Sequence, residues 1–243
     1  NAHLVPYMWG TTSIGRNVDK VRERLGDDAP VDSWALIFDP ANAERLADCG
    51  ISLLDDPTEV FSAALVYLGK GANSEDLDDL KAAEALLTGI RPYIRYIHSS
   101  QQINDLANGE ICVAMGWSGD IMIAADRAAE AENGVEISYT IPSEGTIIWF
   151  DMLAIPKDAP HPDNAHAFIN YVLQPEVIAE VTNYVFYANP NAASVELVDV
   201  EIIEDPSIYP PDDVKAKLFP DLVKSPKYDR LVTRAWTRFK TGQ

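Results

Sequence analysis

Cysteine, histidine, basic residues and long apolar runs are all scarce in this 243-residue chain, and each scarcity removes a class of protein. Cys49 and Cys112 are the whole cysteine content, too little for a small disulfide scaffold. The pair fits one bridge in an exported protein or two buried thiols in a cytosolic one, and composition leaves both open. The four histidines (His3, His98, His161, His166) show no HxxxH spacing and the cysteines no CxxC, so no dedicated metal site is expected. Apolar runs such as 61–68 and 111–117 fall far short of the ~20 residues of a membrane span. Lys and Arg total 19 against 38 Asp and Glu, for a net charge of −19. Such a field repels nucleic-acid phosphates and anionic lipid, and suits cationic ligands. No P-loop, GxGxxG cradle or GxSxG elbow is present, so neither a nucleotide cofactor nor a serine nucleophile is expected. The first residue is not Met and no signal peptide precedes it, which reads as a start inside a larger precursor, after processing, or a fragment.

The residues that are present alternate between two patterns. Segments 51–56, 93–98, 110–117, 135–141 and 146–155 read as strands, and 57–68, 76–87, 102–107, 119–133, 162–173 and 175–182 as helices, with further helices near 211–219 and 228–240. Alternation of this kind predicts an α/β fold with a parallel or mixed sheet covered on both faces. The nearly all-apolar 146–155 reads as a central strand. In such sheets ligands sit beyond the carboxyl ends of strands, which selects three places. Asp55-Asp56 precedes a helix carrying Glu59; Trp117 ends a strand with Asp120 in the next turn; Trp149 and Asp151 lie two apart, on one face of a strand.

A tryptophan beside an aspartate has a bland reading, a buried ring next to a capping or salt-bridged acid. It also has a functional one, a half-site for an organic cation held by the ring face and the carboxylate. Two such pairs in one chain suggest a slot with an aromatic wall and an acid at each end, and Gly119 would allow a ligand close to the backbone. The rival is carbohydrate, including a glycosidase with Asp120 and Asp151 as its carboxylates. Arg91 and Arg95, the cations that amino-acid binding would need, read as structural from their places beside Pro92 and within a strand.

Longer motifs narrow the choice. Residues 6–12 (PYMWGTT) with Gly15-Arg16-Asn17-Val18, Val31-Asp32-Ser33-Trp34, Leu54-Asp55-Asp56 with Glu59-Val60-Phe61, and His98-Ser99-Ser100 are part of the pattern. Residues 103–109 (INDLANG), 116–120 (GWSGD), Trp149-Phe150-Asp151, Phe186-Tyr187-Ala188-Asn189, Ile208-Tyr209-Pro210-Pro211 and Arg234-Ala235-Trp236-Thr237 continue it. Together they resemble the bacterial periplasmic polyamine-binding proteins, over essentially the whole chain. The resemblance implies a type II periplasmic binding-protein architecture, two α/β lobes joined by hinge crossovers. It divides the chain into a crossover at 1–12, lobe two at 13–132, part of lobe one at 133–190 and a return to lobe two at 191–243. It also implies that the opening of lobe one, with a Trp-Ser-x-Tyr stretch, is absent, so that the isolated chain would bind ligand weakly or not at all.

By the same resemblance Glu59, Trp117, Asp120, Trp149, Asp151 and Tyr187 match ligand-contacting positions, and Asp56 falls where an acid accompanies spermidine preference. Trp149 stands where some putrescine binders have Phe. Leu222 stands where a putrescine binder has a lysine, which leans towards a longer polyamine, while Asp120 suits a diamine. The implied protein is a periplasmic monomer that captures putrescine or spermidine for the membrane permease of an ABC importer, with no catalysis and no cofactor. The alternatives kept beside it are the carbohydrate enzyme and a polyamine sensor. Cys49 precedes one strand and Cys112 lies in another that can neighbour it, and export favours oxidation, so a Cys49–Cys112 disulfide is expected.

Overall fold

The computed structural model describes residues 3–242. Its strands are β1 (Val5–Asn17), β2 (Ile51–Leu53), β3 (Ile94–Ile97), β4 (Val113–Trp117), β5 (Ile137–Thr140), β6 (Thr146–Leu153) and β7 (Leu218–Phe219). The helices are α1 (Val18–Leu25), α2 (Ala35–Phe38), α3 (Pro40–Leu46), α4 (Pro57–Tyr67), α5 (Leu77–Ile90) and α6 (Gln101–Ala107). They continue as α7 (Ser118–Glu130), α8 (Pro162–Val172), α9 (Pro175–Val185), α10 (Val200–Ile203), α11 (Asp212–Lys215) and α12 (Pro226–Thr241). Five of these helices, α3, α4, α8, α9 and α12, open on proline, whose fixed φ and missing N–H suit a first turn.

The 13-residue β1 organises everything else. Its far half, Thr12–Arg16, is antiparallel to β4, and Ile14–Asn17 is antiparallel to β5 on the other side. Its near half, Val5–Thr11, is antiparallel to β6. One strand therefore belongs to two bodies. On the far side, β2 lies parallel to both β3 and β4, giving a mixed sheet in the order β3-β2-β4-β1. Ile51, Leu53, Val113 and Met115 of that sheet are buried with Trp34, Phe38, Leu87 and Phe239 in the larger core, which α4, α5 and α12 cover. On the near side, β6 carries β7 and packs against α4, while Met8 of β1 is buried with Val172 of α8 and Ile178 of α9.

Cys49 and Cys112 are joined in a disulfide, with Cα atoms 5.5 Å apart. The pairing of β2 with β4 sets the two residues side by side, and the Cys112 N–H donates to the Gly50 carbonyl at 3.0 Å.

Several expectations are corrected. Strand β6 is not central: from Trp149 onward β1 is its one strand partner among the described residues, and Phe150 and Met152 are 46% and 42% exposed. Its apolar residues serve two partly open faces rather than a buried interior. The helix expected over 211–219 shrinks to α11, because Leu218–Phe219 pairs parallel to Thr146–Ile147 as β7. Residues 192–209 pack on α9 and around Trp9 through Val198, Ile202 and Ile208, and α12 is the tail element that covers α4 and α5. Of the expected ranges, residues 1, 2 and 243 lie outside the described residues.

Candidate functional site

Register builds the site. Met8, Gly10 and Thr12 alternate along one face of β1, and opposite them stand Asp151, Trp149 and Trp117. Asp151 and Trp149 come from β6 on one side of β1, and Trp117 comes from β4 on the other. Paired residues of antiparallel strands share a face, so the two indoles and the acid form one row across the strand common to both bodies. Gly10 is what admits the larger ring: a Cβ there would lie 2.6 Å from Cζ2 of Trp149.

Two further side chains close over this row. The Asp56 carboxylate caps α4 by accepting from the Thr58 and Glu59 N–H groups at 2.9 and 3.1 Å. The cap sets Glu59 in the first turn, where its Oε1 accepts from the Trp117 indole N–H at 2.9 Å. Tyr187 follows Phe186, which ends α9 in the left-handed region at φ 57° and turns the chain back over the sheet. The Trp9 N–H bonds to the Ala188 carbonyl at 2.8 Å and pins that turn. The Tyr187 ring meets Trp149 edge-on, centroids 5.2 Å apart.

Glu59, Trp117, Trp149, Asp151 and Tyr187 line a cavity of about 290 Å³. Five of the seven expected positions are thus gathered in one place. Asp120 stands behind the wall: its carboxylate accepts the Tyr187 hydroxyl at 2.7 Å, and its N–H donates back to the same oxygen at 3.2 Å. Asp56 borders a neighbouring cavity of about 410 Å³ that shares Glu59 and Trp149 and also meets Asp221. Gly119 makes room for protein rather than ligand, since a Cβ there would sit 2.6 Å from both Tyr187 Cε2 and the Val185 carbonyl. Asp55 turns away to Lys240, 2.7 Å from both its oxygens, and to the Trp236 indole. Arg91 donates to the carbonyls of Phe239, Lys240 and Ile94, and Arg95 to those of Glu110 and Asp48, the structural role their sequence context suggests.

Burial dominates the electrostatics. The Glu59 carboxyl is pushed up to about 7, first by desolvation and further by the neighbouring charges of Asp56 and Asp221, against the opposing Thr12 and Trp117 side chains. Desolvation also raises Asp120, which the Tyr187 hydroxyl opposes, and raises Asp151. Three buried polar atoms at the site, Thr12 Oγ1, Glu59 Oε2 and Trp149 Nε1, have no hydrogen-bond partner. Gly10 and Thr12 are the site residues that sequence reasoning missed as such, and Gly119, expected to admit ligand, seats Tyr187 instead. The signal for them is cross-strand register and the approach of Tyr187, neither of which is local in sequence.

A cavity of aromatic walls and acids, set on the strand that two α/β bodies share, goes with the fold of the type II periplasmic binding proteins. Residues 3–210 match the family described as bacterial extracellular solute-binding protein, and the chain belongs to that family. It is 55% identical over 244 residues to the putrescine-binding periplasmic protein PotF of Escherichia coli (strain K12), covering 100% of this chain and 66% of that protein. It is 52% identical to the putrescine-binding periplasmic protein SpuD of Pseudomonas aeruginosa (strain UCBPP-PA14), with the same coverage of 100% and 66%. The chain thus spans 66% of the length of these relatives. Among solved structures it superposes with a TM-score of 0.78 at 28% identity on the spermidine/putrescine ABC transporter substrate-binding protein PotD from Streptococcus pneumoniae. That match covers 99% of this chain and 69% of the other.

Proposed function

We propose that the protein captures a linear polyamine, putrescine or spermidine, in the periplasm, and as a monomer delivers it to the membrane subunits of an ABC importer. The observation that carries this reading is the cavity of about 290 Å³ whose polar lining is Glu59 and Asp151 and whose walls are Trp117, Trp149 and Tyr187. An alkyl diammonium satisfies both parts: each end meets a carboxylate and the methylenes lie along the rings. A ring-face contact to an ammonium contributes about 0.5–2 kcal/mol once desolvated. The neighbouring cavity with Asp56 and Asp221 offers a third amine an acceptor beyond Glu59. The names of the relatives favour the diamine, and the second cavity favours the triamine. We assign β1 and β6 as the crossover strands about which two lobes close on the ligand.

The carbohydrate-enzyme reading loses its geometry, because Asp120 is engaged by Tyr187 and does not stand opposite Asp151 across the cavity. A sensor would use the same site, and differs in its partner. Calorimetry of the protein against putrescine, cadaverine, spermidine and spermine tests the proposal. Asp151→Asn should weaken binding by about 30-fold or more, the effect of leaving an ammonium without its partner. Absence of binding for all four amines by the protein at the full length of its relatives, or turnover of a glycoside, overturns it.

A further inference from the structure

Glu59 is placed to do more than attract a cation. It enters the site from the first turn of α4, held at Oε1 by the Trp117 indole, while Oε2 is buried and has no partner. The groups around it come from every neighbouring element. Asp56 caps the same helix, Thr12 lies on β1 and Trp117 on β4. Tyr139 on β5 is buried, bonded to Thr11 at 2.7 Å, and held protonated by burial with the Glu59 charge adding to the effect. Asp151 and Trp149 on β6 and Tyr187 after α9 share its cavity. Asp221, after β7, faces it across the second cavity and is itself paired with Lys224 at 2.9 Å. None of the groups that act on the Glu59 carboxyl is a cation, and two of them are acids.

A carboxylate in that setting has no counter-charge until a ligand brings one. We propose that polyamine capture is proton-coupled: Glu59 holds a proton in the empty cavity and gives it up to solvent when a ligand ammonium takes its place. This rests on the proposed polyamine function and deepens it. The exchange balances: the neutral acid loses one proton to the buffer, and the carboxylate left behind pairs with an ammonium that keeps all its own hydrogens. Burial raises the neutral form towards the physiological range, so the exchange falls where the protein works.

Calorimetry of putrescine and spermidine in buffers of different ionisation enthalpy, phosphate and Tris, counts the protons released. With the Glu59 carboxyl at about 7, release should be about half a proton per ligand at pH 7, approach one at pH 6 and fall towards zero above pH 8. Affinity should drop about tenfold between pH 8 and pH 6. Glu59→Gln should bind more weakly, with the buffer dependence gone. A glutamate-labelled sample without ligand, followed by carboxyl NMR, should show one resonance with a midpoint near neutrality that Glu59→Gln removes. Binding with equal heats in both buffers, or a Glu59 midpoint in the ordinary carboxylate range, overturns the coupling and leaves the polyamine function standing. Absence of binding to any polyamine overturns that function, and the coupling with it.

Discussion

Replacing a helical glycine by alanine ordinarily stabilises a protein, by about 0.5–1 kcal/mol, because the unfolded chain loses freedom and the helix gains propensity. Gly89 and Gly119 set that rule against packing. Gly89 lies near the end of α5, exposed, with nothing within 4 Å of where a Cβ would go, so Gly89→Ala should raise stability by about 0.5 kcal/mol. Gly119 lies in the first turn of α7, buried, where the new Cβ would stand 2.6 Å from the Val185 carbonyl and 2.6 Å from the Tyr187 ring. A carbonyl of the main chain cannot swing aside as a flexible side chain can. Overpacking of this kind costs about 1–3 kcal/mol, which outweighs the propensity gain. The net expectation for Gly119→Ala is a loss of about 1–2 kcal/mol, with Tyr187 displaced from Asp120 and from Trp149. Urea denaturation of both variants gives the stabilities, and near-ultraviolet circular dichroism reports the Tyr187–Trp149 contact. Equal stabilisation by the two substitutions, or an unchanged aromatic spectrum for Gly119→Ala, would refute the claim that this glycine exists to seat Tyr187.

Tyr187→Phe keeps the ring against Trp149 but removes the donor to the Asp120 carboxylate and the acceptor for its N–H, so denaturation at pH 7 should show a loss of about 1.5–3 kcal/mol. Reducing the Cys49–Cys112 bridge, which closes 63 residues of sequence separation, should lower stability by at most about 4 kcal/mol in the chain-entropy account, and no change in midpoint with reductant would contradict it. Because the folded Glu59 carboxyl lies above its unfolded value, its contribution is most favourable below pH 4.5 and is lost as pH rises through about 7. Glu59→Gln should therefore be more stable than the parent at pH 8, by at most about 3 kcal/mol, with that advantage shrinking as pH falls to 4.5; a pH-independent difference between the two would contradict the assignment.

The sequence by itself was enough for whatever depends on local pattern. Alternation of apolar strands and helices specified an α/β chain, α8 and α9 start at 162 and 175 as expected, and α12 starts two residues before the expected 228. A period of two placed Trp149 and Asp151 on one face of β6, and they do line one cavity. The family motifs pointed to seven positions, five of which line one cavity. Tertiary structure decided the rest, because pairing partners are not encoded at any fixed spacing. That Trp117 and Trp149 flank the same strand follows from the registers Thr12 with Trp117 and Gly10 with Trp149, over separations of more than 100 residues. Asp120 reads from sequence as a ligand acid like Asp151, yet Tyr187, carried in by the left-handed turn at Phe186, takes its carboxylate out of the cavity wall. Glu59 reads as one acid among 38; only the burial that α4 imposes against β1 and β4 sets its proton apart from the others. Local rules act over a turn or a pleat, whereas desolvation and register depend on which distant segments meet, and that is settled by the fold.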